Sequence, residues 1–319
     1  MYRSGVIIMK SLKRKLIQWT VLVLTNGNLS GFVEGTIYKG PLKQFCVPGL
    51  NCYSCPGALG SCPLGSLQAV IGSYQYNFSF YVMGLLLALG VTLGRFVCGF
   101  LCPFGLIQEL IHKVPSTKIK PHRIYGYLKY VVLAVFVVAL PLLAVNFMGL
   151  GQPAFCQYIC PAGTLSAGLP LLLANPKLRS VIGGLFSLKS AILALTILGS
   201  VFIYRFFCRM LCPLGAIYSL FNRISLYQLQ FNEKKCVHCG ACAKACRMDI
   251  DPSEQPAALE CIRCGDCVKS CPTRALKAGF RFRSNGNLSE ETPYTMSSCN
   301  RCGHCAQSEK TRHDGRTSI

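Results

Sequence analysis

Eight cysteines fall into two consecutive runs of one pattern: Cys236, Cys239, Cys242 and Cys246, then Cys261, Cys264, Cys267 and Cys271. Both runs read C-x2-C-x2-C-x3-C, the spacing at which bacterial proteins hold two [4Fe-4S] cubanes. Thiolates are soft donors suited to Fe–S iron, and the x2 spacing wraps three of them around one cluster. The fourth cysteine of each run crosses to the other cluster. The expected ligand sets are therefore Cys236, Cys239, Cys242 and Cys271 for one, and Cys261, Cys264, Cys267 and Cys246 for the other. C-x2-C also binds zinc, so paired zinc ribbons are the alternative, although zinc needs no four-thiol run twice over. Two such clusters imply electrons moved singly.

A second group of cysteines lies in a repeat. Arg95, Cys98, Cys102 and Pro103 match Arg205, Cys208, Cys212 and Pro213 in a shared R-F-x-C-x3-C-P-x-G. A weaker pair is Cys62-Pro63 and Cys160-Pro161, each followed by x-Gly. Proline suits the first position of a helix, which puts the preceding cysteine at the N-cap, beside free N–H groups and a partial positive charge. That end favours an anionic cluster and lowers a thiol pKa. Cys98, Cys102, Cys208 and Cys212 are expected to hold a further cluster; buried structural thiols are the alternative. Cys46, Cys52, Cys55, Cys62, Cys156 and Cys160 remain. The expectation is one cluster on Cys55, Cys62, Cys156 and Cys160, with Cys52 and Cys46 as substitutes and disulfides as the alternative. Cys62 and Cys160 are expected to converge across a pseudo-twofold axis. Near the C-terminus, Cys299, Cys302 and Cys305 form a C-x2-C-x2-C run without a fourth cysteine. A further Fe–S cluster, a zinc site with a histidine, or an unstructured tail are all open there.

These sites need elements to carry them. Mean hydropathy is +0.40, and the apolar residues are gathered in blocks. Phe78–Leu93, Tyr130–Phe147 and Ala191–Tyr204, the last extended back through Leu185, carry no charge over their apolar cores. A membrane span takes about 20 mostly apolar residues. A fourth block, Leu16–Val33, is interrupted by Asn26, Asn28 and Ser30, which leaves an interfacial helix as its alternative. The stretches after Pro63 and Pro161 (Leu64–Ile71 and Ala162–Leu173) are too short to span and read as re-entrant. The expectation is a mainly α membrane protein. It would have four transmembrane helices in a pseudo-twofold parallel repeat with re-entrant Cys-Pro helices, plus an α+β two-[4Fe-4S] ferredoxin domain. The expected divisions are a membrane part at 1–224, in repeats of about 10–115 and 116–224, the ferredoxin part at 225–283, and a polar tail at 284–319.

The net charge is +21. Lys and Arg concentrate before the first block, between Arg95 and Lys129, and after Arg205. By the positive-inside rule these stretches face the cytoplasm, giving a multi-pass protein of the cytoplasmic membrane with both termini inside. The first apolar block has no A-x-A-type cleavage site behind it, so a signal peptide is not expected. No basic-aromatic module accompanies the charge, so nucleic acid is not an expected partner. The five histidines (His112, His122, His238, His304 and His313) all lie away from the span centres, so haem is not expected. No G-x-G-x2-G follows a strand-like run and no hydrolytic triad is visible. Lys234, Lys235, Lys244, Arg247, Arg263, Lys269, Arg274 and Lys277 surround the eight-cysteine region. They suit an acidic cytoplasmic electron donor such as a ferredoxin or flavodoxin, or anionic lipid.

The paired C-x3-C-P elements followed by a two-cluster ferredoxin region resemble the NapH/NosR-type membrane-bound polyferredoxins over most of residues 95–272. The resemblance implies clusters on the eight ferredoxin cysteines and redox importance for Cys98, Cys102, Cys208 and Cys212. It implies an electron relay to an extracytoplasmic flavo- or haem-protein. The cysteines at 46–62 and at 156–160 depart from the family pattern. A quinol dehydrogenase subunit and an iron–sulfur assembly factor are the competing functions. Whether the chain is itself an oxidoreductase enzyme, and whether it is a homo-oligomer, stays open.

Overall fold

The computed structural model describes residues 2–73, 79–145, 151–176 and 182–280, with side chains from Arg14 onward. Cys299, Cys302 and Cys305 lie outside the described residues. The described residues are mainly helical, and among them one arrangement recurs four times. A longer helix is followed by a shorter one that starts at a Cys-Pro pair. The longer helices are Tyr2–Thr25, Phe80–Leu93, Arg123–Leu143 and Gly184–Phe202; the shorter are Pro63–Gly72, Pro103–Ile111, Pro161–Ala174 and Pro213–Leu220. In each short helix proline takes the first position. Cys62, Cys102, Cys160 or Cys212 precedes it with extended backbone, as a chain about to enter a helix must.

Two helices, Arg123–Leu143 and Gly184–Phe202, are long and apolar enough to cross a membrane, while Phe80–Leu93 and Pro161–Ala174 are shorter apolar helices. The block Leu16–Val33 is not one helix. The first helix stops at Thr25, and a separate turn spans Ser30–Glu34. The interrupting polar residues take backbone partners of their own: Asn26 bonds the Leu22 carbonyl and Asn28 that of Pro56. Such local bonds compete with a continuous helix. Internal prolines leave a different mark. Before Pro141 the helix widens to π-type turns over Leu133–Ala139, and before Pro170 over Thr164–Gly168. The wider turn relieves the clash of a proline ring with the carbonyl four residues back.

One apolar core joins all four Cys-Pro elements. Leu50, Leu64, Phe104, Phe155, Phe207 and Tyr218 pack in it together with Cys62, Cys98, Cys102, Cys160 and Cys212. The ferredoxin-type region closes on a two-stranded antiparallel sheet, Tyr227–Phe231 against Leu276–Phe280, with Leu229 opposite Ala278. Two short helices, Ala241–Ala245 and Asp266–Ser270, lie between those strands in sequence.

This region is docked on the helices. Tyr204 packs with Met248 and Ile262 in one buried cluster. Arg263 donates to the Leu93 carbonyl at 2.8 Å, and Asn222 to the carbonyls of Ala258 and Cys261 at 2.7 and 3.0 Å. Gly99 brings the two regions close together: a Cβ there would clash with the Ile262 carbonyl oxygen. Gly99→Ala is therefore expected to loosen the docked region. Amide exchange over residues 258–263 should then speed up; unchanged exchange would show that the contact yields without cost.

Candidate iron–sulfur centres

The ferredoxin-type cysteines form two groups. Cys236, Cys239, Cys242 and Cys271 line one cavity of about 340 Å³. Cys246, Cys261, Cys264 and Cys267 line another. The last cysteine of each run thus sits with the other run. The loops are shaped by left-handed backbone at equivalent places, His238 and Gly240 in one run and Arg263 and Gly265 in the other. Alternating handedness turns successive N–H groups inward, which is how a backbone nest receives an anion. The His238 N–H points at the Cys236 sulfur, 3.4 Å away. Four thiols around a cavity with backbone N–H donors on sulfur is a donor set that fits a cubane cluster. Among the described residues no three His, Cys, Asp or Glu side chains close on a single-ion site.

A third group comprises Cys98, Cys102, Cys208 and Cys212. All four are buried, and their sulfurs lie within electrostatic reach of one another. Two arginines cross over this group. Arg95 leads into Cys98 yet donates to the Cys208 carbonyl, and Arg205 leads into Cys208 yet donates to the Cys98 carbonyl. Each arginine is fully buried and each has a carboxylate. Glu109 pairs with Arg205 and also with Arg14. Glu260 pairs with Arg95 and also with Lys129. Burial pushes the Glu260 carboxyl up, but Arg95 and Lys129 outweigh it and hold it below its ordinary value. Glu260 directly precedes Cys261, and Arg95 also bonds the Leu259 carbonyl at 3.0 Å. The Cys261 group therefore lies beside this third group, which we call proximal.

A fourth, distal group lines a cavity of about 620 Å³: Cys52, Cys62, Cys156 and Cys160. Cys62 and Cys160 do meet there. Cys55, expected in this set, lies elsewhere: it is buried with Ala58 and Ala167, its sulfur 3.9 Å from the Asn26 side-chain oxygen. Cys46 is also apart, its thiol bonding Ser66 and its backbone bridged to Ser61. Cys55 follows Cys52 in a C-x2-C that alone cannot say which sulfur faces inward. Every described cysteine is a free thiol.

Aromatic rings stand between the distal and proximal groups. Phe155 precedes Cys156 and Phe207 precedes Cys208; their ring centroids are 6.5 Å apart, and Phe104 meets Phe207 edge-on at 5.4 Å. Tyr218 is buried in the same core and donates to the Pro48 carbonyl at 3.0 Å. Sequence reasoning assigns no role to these rings, nor to Gln68 and Gln108, each of which donates to a cysteine sulfur. For the glutamines a signal exists, since both stand in C-P-x-G-x2-Q.

Comparison with known proteins places 4Fe-4S binding families on both the helical and the ferredoxin-type regions. A 4Fe-4S binding domain family matches three times, at residues 78–122, 131–176 and 188–229. Each match takes in one apolar helix and one C-x3-C-P, so the repeat has half the period read from the two R-F-x-C copies. A second 4Fe-4S binding domain family matches residues 229–250, and a 4Fe-4S dicluster domain matches residues 260–308. An uncharacterized protein of Methanocaldococcus jannaschii is 33% identical over 54% of this chain; the match spans 66% of its length, just under two thirds. YccM of Escherichia coli, named for electron transport, is 26% identical over 52% of this chain and 45% of its own. The methylamine utilization ferredoxin-type protein MauN of Paracoccus denitrificans is 27% identical over 65% of this chain and 69% of its own. No solved structure matches. The chain carries 4Fe-4S binding domains of the ferredoxin type and is similar at low identity to YccM and MauN.

Proposed function

We propose that this protein carries electrons across the cytoplasmic membrane, from a soluble donor to an extracytoplasmic acceptor. The single observation that carries the reading is the one buried core that joins the proximal and distal cysteine groups while the ferredoxin-type region is docked on the proximal one. Bound at the four groups, [4Fe-4S] clusters would supply one-electron carriers. The chain's own part is to hold them in order: the Cys236 group outermost, then the Cys261 group, the proximal group and the distal group. A hydrocarbon core of about 30 Å is too wide for one efficient hop. Cys-Pro helices that draw both membrane groups into the helix bundle shorten it.

Support for the membrane comes from the helix faces. Only 22% of the apolar stretch of Arg123–Leu143 and 17% of that of Gly184–Phe202 is buried inside the protein. Apolar faces this exposed call for lipid. Tyr2–Thr25 and Phe80–Leu93 complete four crossings, with both termini in the cytoplasm by the charge rule. On the ferredoxin side, Lys234, Lys235, Arg274 and Lys277 line a surface hollow next to the Cys236 group, where an acidic donor would dock. The distal ligand set is Cys52, Cys62, Cys156 and Cys160. The dicluster match runs through Cys299, Cys302 and Cys305, in favour of an Fe–S role for the tail as well.

The test is reconstitution into quinone-free liposomes, with a reduced acidic ferredoxin on the ferredoxin side and an impermeant acceptor on the other. Reduction of the acceptor that slows as salt rises is expected. Cys52→Ser is expected to abolish it, while Cys55→Ser retains it. A requirement for added quinone would favour a quinol dehydrogenase, and no transfer in either case would favour an assembly role.

A further inference from the structure

Gln68 and Gln108 occupy the same place in two different centres. Each lies six residues after a Cys-Pro cysteine, and each is fully buried. Each reaches across to a C-x3-C-P contributed by the other half of the chain. The Gln68 Nε2 donates to the Cys156 sulfur at 3.2 Å, and the Gln108 Nε2 donates to the Cys208 sulfur at 3.0 Å. The oxygen ends match too. The Gln68 Oε1 accepts from the Phe155 N–H at 2.9 Å, and the Gln108 Oε1 from the Phe207 N–H at 3.0 Å. The second N–H of each amide goes to the carbonyl four residues back, Leu64 at 3.3 Å and Phe104 at 3.4 Å.

This pattern fixes the amide's direction. Reversing it would put an N–H against a backbone N–H and a carbonyl oxygen against a sulfur and a carbonyl. The sulfur must therefore accept, as a ligating thiolate does. The other two Cys-Pro helices carry Ser166 and Tyr218 at this place, so each centre has one such amide and one sulfur that receives it.

We propose that Gln68 and Gln108 are positioning residues that set the reduction potentials of the distal and proximal centres, each through one N–H on one ligating sulfur. The proposal rests on the reading of these two cysteine groups as cluster sites. A hydrogen bond to a cluster sulfur favours the reduced, more negative state, and so raises the potential. Its burial keeps water from replacing it.

The experiment is a redox titration of the purified full-length protein, followed by electron paramagnetic resonance, with iron measured in the same samples. Gln108→Glu keeps an oxygen for the Phe207 N–H and removes the donor; Gln108→Leu removes both and adds no charge. Both are expected to lower the potential of the proximal centre alone, by about tenfold in its reduced-to-oxidised ratio, or about 59 mV for one electron. Gln68→Glu and Gln68→Leu are expected to lower the distal centre alone. Unmoved potentials at full iron content would overturn the proposal, as would equal shifts of every centre. Loss of the cluster from both variants of one glutamine would also overturn it, by reducing that residue to a structural brace. A wild-type protein showing only the two ferredoxin signals would instead refute the cluster reading beneath it.

Discussion

Cys212→Ser is expected to strip the proximal centre from the protein and leave the two ferredoxin-type centres intact. Iron and acid-labile sulfide should fall by one cluster's complement, and transfer to an acceptor across the membrane should cease. The substitution is a clean one. Serine is among the best helix N-caps, so the helix Pro213–Leu220 keeps its start. The backbone N–H of Gly215, which now meets the Cys212 sulfur at 3.5 Å, keeps an acceptor. What is lost is a soft thiolate among four, and a hydroxyl is a poor substitute for it on Fe–S iron. Unchanged iron content with unchanged resonance spectra would show that these four cysteines only pack.

The second large effect is expected at Glu109, whose carboxylate serves two buried cations at once. Its side chain is 3% exposed, that of Arg205 0% and that of Arg14 6%. Tyr204 adds a hydroxyl donor at 2.8 Å. Glu109→Gln leaves two guanidinium groups without a shared anion in a place water barely reaches. Breaking a buried pair from one side costs about 3–5 kcal/mol. The expected outcome is a marked fall in thermal midpoint in detergent, together with loss of the proximal signal, because Arg205 would no longer be held on the Cys98 carbonyl. Lys120 provides the contrast. It pairs with Asp249 at 3.7 Å with its side chain 84% exposed, and Lys120→Ala should cost no more than ~1 kcal/mol. A Glu109→Gln protein as stable as that control would remove the argument.

Much of this arrangement is legible in the amino-acid sequence. The two C-x2-C-x2-C-x3-C runs carry their own crossing rule, and proline after cysteine fixes four helix starts through backbone chemistry alone. Four things are not legible there, each for a physical reason. Asn26, Asn28 and Ser30 mark Leu16–Val33 as interrupted, but only the structure shows that the helix ends at Thr25, where the Asn26 and Asn28 amides find carbonyls of their own. A C-x2-C loop puts two sulfurs near one place without saying which faces the cavity, and Cys52 rather than Cys55 does so. The repeat reads at the period of its two strongest copies, because Phe155 and Cys156 lack the arginine that marks the others. That arginine belongs to the proximal group's cross-over and has no counterpart in the distal one. The glutamines share C-P-x-G-x2-Q, but that motif does not say what their amides bond. A buried amide resembles any helix residue in sequence until its partners, nearly a hundred residues away, are known.

The crossing of the two halves bears on how such a protein is made. The ferredoxin-type cysteines all fall within one short stretch and can fold together as soon as that stretch is synthesised. The proximal and distal groups cannot. Cys52 and Cys62 wait for Cys156 and Cys160, and Cys98 and Cys102 wait for Cys208 and Cys212. A nascent chain that has emerged as far as residue 150 therefore carries two half-sites, each a pair of thiols with no complete nest for iron. The distal nest closes first, the proximal one later, and Arg95 gains Glu260 last of all. On the proposed reading of these groups as cluster sites, iron loading would follow synthesis in that order, with the waiting thiols kept reduced until then. A chain cut short before Arg205 would have the distal thiols but would lack Cys208, Cys212 and the arginine that reaches the Cys98 carbonyl, and so could build the distal group but never the proximal one.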